Sequence, residues 1–294
     1  LTNRRLIWIG DRAMEFVTYT DPQQFSLKAK PILTQHEDTF SLFYGIMEAI
    51  KAGSYDNPFM AAVEEDGEIA ALLQMTPPYP LNIIVNHPEK ADEILGQTVR
   101  LLAEQSISIP TVISRKEWAI SFAEKWKAET GRGFQVEIDE GVYRLDAVNS
   151  ALEDSPGNWR LATKKDALRI AAWLMLFEKE AGLPLTPKDA VREEVASFID
   201  RQEVFVWENE GKVVSMMKKA RPTERGVTVS MVFTPRQERR KGYGRTMVAK
   251  VSEELMKEFQ FCLLFTDLAN ATANKIYQEI GYMQIADFAV VELD

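Results

Sequence analysis

A single cysteine in 294 residues, Cys262, leaves no partner for an intrachain disulfide and suits a reducing compartment. Histidine is almost as scarce, with only His36 and His87, and no grouping of His and Cys has the spacing of a metal site. Long apolar runs are missing too. The longest, residues 170–177, is far too short to span a bilayer, and the apolar residues after Arg4-Arg5 stop at Ile9, short of a signal-peptide core. A long basic tract is also lacking, and the net charge is -9, which argues against nucleic acid as a partner. These absences predict a soluble, cytoplasmic protein with no metal, no nucleic acid and no membrane among its partners. Because the chain begins at Leu1, Met14 is a candidate start, and residues 1–13 are read as an extension without functional weight.

What is present is an ordinary globular composition, 46% hydrophobic and 27% charged, at a length that suggests two domains. The acidity sits in residues 1–150, which hold 14 Lys+Arg against 22 Asp+Glu, whereas residues 151–294 hold 21 against 22. Within the nearly neutral half, five cations fall in ten residues: Arg236, Arg239, Arg240, Lys241 and Arg245. Such a cluster points to one local anion site.

The chain repeats itself. Residues 59–75 and 204–218 each read as an apolar run, an acidic turn ending in Gly (Gly67, Gly211) and a second apolar run, the pattern of a β-hairpin. Helical stretches precede each hairpin (38–50; 166–177 and 189–199). A third strand (81–85; 227–233), a helix (94–105; 246–259), a fourth strand (111–114; 261–266), another helix (117–129; 271–280) and a Gly-aromatic pair leading into an alternating strand (133–145; 281–293) follow. The distance from hairpin glycine to Gly-aromatic pair is 66 residues in one half and 70 in the other. Two copies of one α+β unit are therefore expected, residues 14–146 and 159–294, joined by a linker at 147–158 rich in Asn, Ser, Asp, Pro and Gly.

The second copy carries the chemistry. Arg239-Arg-Lys-Gly242-Tyr-Gly244 lies between an apolar strand ending in Thr234-Pro235 and an amphipathic helix, where glycines let a ligand approach the backbone and several N–H groups point outward together. Asn270-Ala-Thr-Ala-Asn-Lys-Ile-Tyr277-Gln-Glu-Ile-Gly281-Tyr282 follows about 25 residues later by count along the chain. This ordered pair resembles the two motifs of the GNAT superfamily of N-acetyltransferases, with motifs over 159–294 and only element order over 14–146. The resemblance implies two tandem GNAT-like domains, each a mixed, mostly antiparallel sheet flanked by helices. It also implies acetyl-CoA as the acyl donor and a small-molecule or peptide amine as the acceptor. The diphosphate would be held by Arg239, Arg240, Lys241, Gly242, Tyr243, Gly244 and Arg245, with Asn270 nearby. The donor's amide arm would pair with the strand at Met231, Val232 and Phe233, where a backbone N–H polarises the thioester oxygen.

Direct attack by an amine needs no nucleophilic side chain, but two protons must move. A neutral phenol, ordinarily of pKa about 10, can protonate a leaving thiolate, and Tyr277 is the candidate acid. The second half has no histidine, so the base is a carboxylate, Glu178 or Glu180, or a water held by Ser230 or Thr228. Competing readings stay open: Asn270 as a helix N-cap alone, Tyr277 as a core aromatic, Arg236 as a solvated charge and Cys262 as a buried small hydrophobe. A dinucleotide fold is disfavoured by Met247 at the third glycine position and by the preceding hairpin, despite Asp267 near the place of a ribose-binding acid. In the first copy the loop reads Asn86-His87-Pro88-Glu89-Lys90-Ala91-Asp92-Glu93, without the glycines and with acids facing the phosphate position, so this copy is expected to be degenerate. The alternative function is a non-catalytic acyl-CoA-binding sensor or scaffold, which would need the loop but not Tyr277.

Overall fold

The computed structural model describes residues 2–9, 12–105 and 107–294. The chain forms two compact α+β units, each with a mixed, mostly antiparallel sheet flanked by helices. Unit 1 comprises 1–142, 266–269 and 284–294; unit 2 comprises 143–265 and 270–283.

In unit 1, β1 (Thr2–Ile9) and β2 (Arg12–Tyr19) form an antiparallel pair. Two helices follow, α1 (Pro22–Gln35) and α2 (Ser41–Lys51). The hairpin β3 (Phe59–Glu65) and β4 (Glu68–Met75) turns on Asp66 and Gly67, both at positive φ as a tight two-residue hairpin loop requires. β5 (Leu81–Val85), α3 (Ala91–Glu104), β6 (Thr111–Arg115) and α4 (Lys116–Thr130) complete the repeat, and β7 (Phe134–Leu145) leads out of it. Unit 2 reuses the order: β8 (Asn158–Leu161), α5 (Ala167–Glu180), α6 (Val191–Asp200), β9 (Val204–Asn209), β10 (Lys212–Ala220), β11 (Gly226–Phe233), α7 (Tyr243–Leu255), β12 (Phe261–Asp267) and α8 (Ala271–Ile280). Its hairpin turns on Glu210 and Gly211, again both at positive φ.

The last strand, β13 (Met283–Leu293), does not close the repeat that precedes it. It pairs antiparallel with β6, from Phe288 opposite Arg115 to Glu292 opposite Thr111, and Ala289, Val291 and Leu293 join the buried core of unit 1. The strand order there is β1-β2-β3-β4-β5-β6-β13, and in unit 2 it is β8-β9-β10-β11-β12. The units therefore interleave in sequence, where the repeat pattern alone places a boundary at 147–158. Alternation in 283–293 specifies a strand with one apolar face but not which strand it joins.

Three further differences have physical causes. Residues 2–9, given no weight from the sequence, form a strand. α1 escapes the sequence reading because Pro31 lies inside it, although its start is marked by the Asp21 side chain accepting from Gln23 N–H (2.9 Å) ahead of Pro22 at the first turn. β8 is four residues long and emerges from the polar linker. No helix among the described residues is long and apolar enough to cross a membrane.

Candidate functional site

The site in unit 2 starts from a defect in β11. Phe233 stands opposite Met216 and Ser230 opposite Lys218, so two residues, Met231 and Val232, face the single Met217. Met231 takes φ +52, a region that an unbranched L-residue enters at a cost of about 1 kcal/mol or more. This β-bulge turns the end of the strand away from its neighbour. The parallel pairing of β11 with β12 runs only over Gly226–Phe261, Val227–Cys262 and Thr228–Leu263. Beyond Thr228 a cleft of about 90 Å³ opens, walled by Val229, Ser230, Met231 and Val232 on one side, Leu264 and Phe265 on the other, and reached by Phe177, Arg221 and Tyr277.

The strand then runs through Thr234-Pro235 into one 3₁₀ turn, Arg236–Glu238, and the glycine loop. Gly242 caps α7 at φ +78, and no side chain caps the helix. Among the described residues, none of the backbone N–H groups from Arg240 to Arg245 is paired with a protein acceptor. The carbonyl side is held instead. Ser155 Oγ donates to Lys241 O (2.9 Å), Ser155 N–H donates to Thr246 Oγ1 (3.0 Å), and Arg245 Nη2 donates to Glu153 O (3.2 Å). A Cβ on residue 242 would collide with Ser155 Oγ, and one on residue 244 would come to 3.1 Å from Thr234 Oγ1. Six N–H donors at a helix N-terminus, with glycine where no side chain fits, suit a diphosphate.

The loop side chains behave differently from a simple cationic cradle. Arg239 donates to Thr234 O (2.7 Å) and to Glu180 (2.5 Å), Lys241 pairs with buried Glu238 (2.8 Å), and Arg245 pairs with Glu279 (3.2 Å). Arg240, exposed and at φ +62, has no ion pair among the described residues. Tyr243 is buried, its hydroxyl accepting from Asn209 Nδ2 (3.0 Å), so it anchors the loop and offers the ligand only its backbone. Met231 and Phe233 likewise bury their side chains against Trp173 and neighbouring apolar residues, leaving main-chain groups as the reachable part.

Tyr277 is half-buried in the cleft, with its ring edge-on to Tyr282 at 6.0 Å. Burial pushes its phenol up to about 12, so it keeps its proton throughout the neutral range. Asn270 caps α8, its side chain accepting from Ala273 N–H (3.1 Å). Cys262 is fully buried, and burial pushes its thiol up to about 12, as befits a core residue.

Neither sequence-nominated carboxylate lines the cleft. Glu178 accepts from Thr186 N–H (2.9 Å) and Oγ1 (2.5 Å), and Glu180 is bound to Arg239 and Arg236, with the Arg239 hydrogen bond first in holding its carboxyl below the usual range. Glu194 on α6, not singled out from the sequence, has its carboxyl raised by burial and then by the charge of Glu178. Ser230 does line the cleft, and Thr228 Oγ1 beneath it is buried without a partner among the described residues. The cleft residues that sequence reasoning missed are Phe177, Arg221, Val229, Leu264 and Phe265. They are brought together by the splay, which leaves no mark in the local pattern.

A bulged strand splayed from its parallel neighbour leads into a glycine loop that opens a helix, the arrangement expected from the sequence motifs. Residues 210–290 match the family model described as FR47-like protein. Among solved structures, a GCN5-related N-acetyltransferase from Sphaerobacter thermophilus superposes with a TM-score of 0.64 at 15% identity, covering 94% of this chain and 94% of that one. A GNAT-family acetyltransferase from Colwellia psychrerythraea gives 0.59 at 11% identity, over 95% and 98%. A tandem GNAT protein from the clavulanic acid biosynthesis pathway gives 0.54 at 10% identity, over 96% and 98%. A search of curated protein sequences returns no match. The likeness to these structures, one of them a tandem protein, is one of fold, and it extends over nearly the whole chain.

Proposed function

We propose that unit 2 is an acyl-CoA-dependent N-acyltransferase, using acetyl-CoA to acylate a primary amine. The observation that carries this reading is the row of unpaired N–H groups from Arg240 to Arg245 on the same unit as the splayed cleft with Tyr277. When bound, the donor supplies a thioester whose acyl carbon bonds to the amine nitrogen as the C–S bond breaks and the thiol leaves. The loop backbone would hold the diphosphate, and the end of β11 from Met231 to Phe233 would hold the amide arm and present an N–H to the thioester oxygen. Arg240 and Lys241 would add screened, salt-sensitive attraction, and Asn270 fixes the start of the helix that carries Tyr277.

Tyr277 holds a proton where a thiolate would otherwise depart uncompensated. Since no carboxylate is among the residues lining the cleft, the ammonium's proton leaves through ordered water, for which Ser230 and Thr228 are the hydroxyls at hand. Unit 1 lacks the glycine loop: α3 opens with Asp92 and Glu93 in its first turn, and Asp92 pairs with Lys125 (2.6 Å). This copy would then have lost CoA binding.

Thiol release from acetyl-CoA over a panel of amines, together with calorimetric CoA binding, tests the reading. Tyr277→Phe should lower turnover by roughly 10²–10⁴-fold, the usual contribution of a positioned acid, with CoA affinity retained. Gly242→Glu should abolish CoA binding. Unchanged affinity in the Gly242 variant would remove the loop assignment, and full turnover in Tyr277→Phe would remove the acid.

A further inference from the structure

We infer that Glu180 and Arg239 form a strut between α5 and the exit of β11. Arg239 then acts on the reaction as a positioning residue, through the strand's main chain, rather than as a ligand of the diphosphate. The inference rests on the acyltransfer reading above and concerns how the strand that would carry the donor's arm is held in place.

Strand pairing fixes the end of β11 poorly. Its ladder to β12 stops at Thr228, its ladder to β10 ends with Phe233 opposite Met216, and between them Met231 stands at φ +52, a conformation that persists only where the surroundings impose it. Side chains take over from there. Ser215 Oγ donates to Phe233 O (3.0 Å) and shares a hydrogen bond with Thr234 Oγ1 (2.8 Å), while Arg239 Nε donates to Thr234 O (2.7 Å). The guanidinium of Arg239 also lies 5.8 Å from the Phe233 ring, on which Trp173 of α5 packs at 5.9 Å. Its Nη2 donates to Glu180 (2.5 Å), the last residue of α5, and Arg236 approaches the same carboxylate at 3.5 Å. α5 thus grips the strand exit twice, through Trp173 on Phe233 and through Glu180 on Arg239.

Charge and shape both favour a strut over a phosphate ligand. The Arg239 cation faces a full carboxylate, so an arriving anion meets a compensated pair and is repelled by Glu180. Arg240, the next residue, is exposed and without an ion pair among the described residues, and is the loop cation open to an anion. Arg239 uses its fork in three directions at once, towards a carbonyl, a carboxylate and an aromatic ring, which a lysine cannot do. Its side chain is 40% exposed and that of Glu180 33%, and a pair this open adds little to folding stability. Position is what it contributes. An N–H that polarises a thioester oxygen must stand where the charge develops, so a small displacement of Met231 to Phe233 costs rate far more than donor affinity.

The test uses the full chain, with acetyl-CoA turnover on the best amine of the panel above and calorimetric CoA binding over a range of salt concentrations. Arg239→Gln and Glu180→Gln should each lower kcat by roughly fivefold or more, with the CoA Kd within about twofold of wild type and its salt dependence unchanged. The double variant should be no slower than the slower single one, since each change breaks the same strut. Arg239→Lys should behave like Arg239→Gln, Glu180→Asp should recover part of the rate, and melting temperatures should stay within about 3 °C of wild type. A tenfold loss of CoA affinity with a shallower salt dependence in Arg239→Gln would make that residue a phosphate ligand and overturn the inference. Unchanged kcat in Glu180→Gln, or losses that multiply in the double variant, would overturn it too, and each of these results leaves acyltransfer standing. A wild-type protein that binds CoA yet acylates no amine overturns both.

Discussion

At the scale of single residues, the loop is set by a serine from the inter-repeat segment. Ser155 Oγ occupies the Lys241 carbonyl while the N–H groups around it stay unpaired, so the loop is braced on one side and available on the other. Ser155→Ala removes a bond worth about 1 kcal/mol, and CoA affinity measured by calorimetry should fall roughly fivefold with the fold intact. Tyr277 gives a pH prediction. Its phenol is raised from 10 to about 12, so the stabilisation from keeping it neutral is complete below pH 10 and is lost as pH rises through about 12. The kcat profile should therefore show no alkaline limb from this group up to pH 10. A limb centred near 10 that vanishes in Tyr277→Phe would show that burial does not raise the phenol.

At the scale of elements, α5 determines where Phe177, Glu178 and Glu180 stand, and its start is fixed by a polar knot. Asp166 accepts from Thr163 N–H (2.8 Å) and Oγ1 (2.9 Å) and from both terminal nitrogens of Arg160 (2.8 and 3.0 Å). The Arg160 hydrogen bonds lead the causes that lower its carboxyl to about 2. Asp166→Asn should cost about 2 kcal/mol in urea melts near neutral pH, in the range for a lost cap and charged hydrogen bond. Because the folded pKa is depressed, that difference is present above about pH 4 and should shrink as pH falls towards 2. A penalty independent of pH would assign the effect to shape rather than charge. The elements most legible in the sequence were those with local punctuation: the Asp66-Gly67 and Glu210-Gly211 hairpins, and the Asn270 cap of α8. α1 was hidden by Pro31, and the bulge at Met231 carries no glycine to announce it.

At the scale of the whole molecule, the two repeats do not separate at the linker. β13 follows the motifs of the second repeat yet belongs to unit 1, where it covers the edge of β6 and buries Ala289, Val291 and Leu293. Burying Val291 and Leu293 alone contributes about 3–6 kcal/mol, comparable to the net stability of a domain. A chain ending at residue 283 should therefore lose the folding of unit 1 or aggregate through the bare β6 edge, seen as a lost or strongly lowered thermal transition. An unchanged melting profile would show that β13 is dispensable there. For the same reason a fragment ending at residue 146 is a poor isolate of the first repeat.

Short-range patterns in the chain specify the class of each unit, the double occurrence of that unit and the place of the glycine turn that opens α7. Those patterns are alternation, acidic turns with glycine, and glycines beside cations at a helix start. Only the tertiary structure decided which sheet receives the last strand, how far β11 and β12 separate, and that Arg221, Phe177 and Phe265 share a cleft with Tyr277. Strand partnership and splay arise from contacts between residues far apart in the chain, and such contacts leave no local period to read.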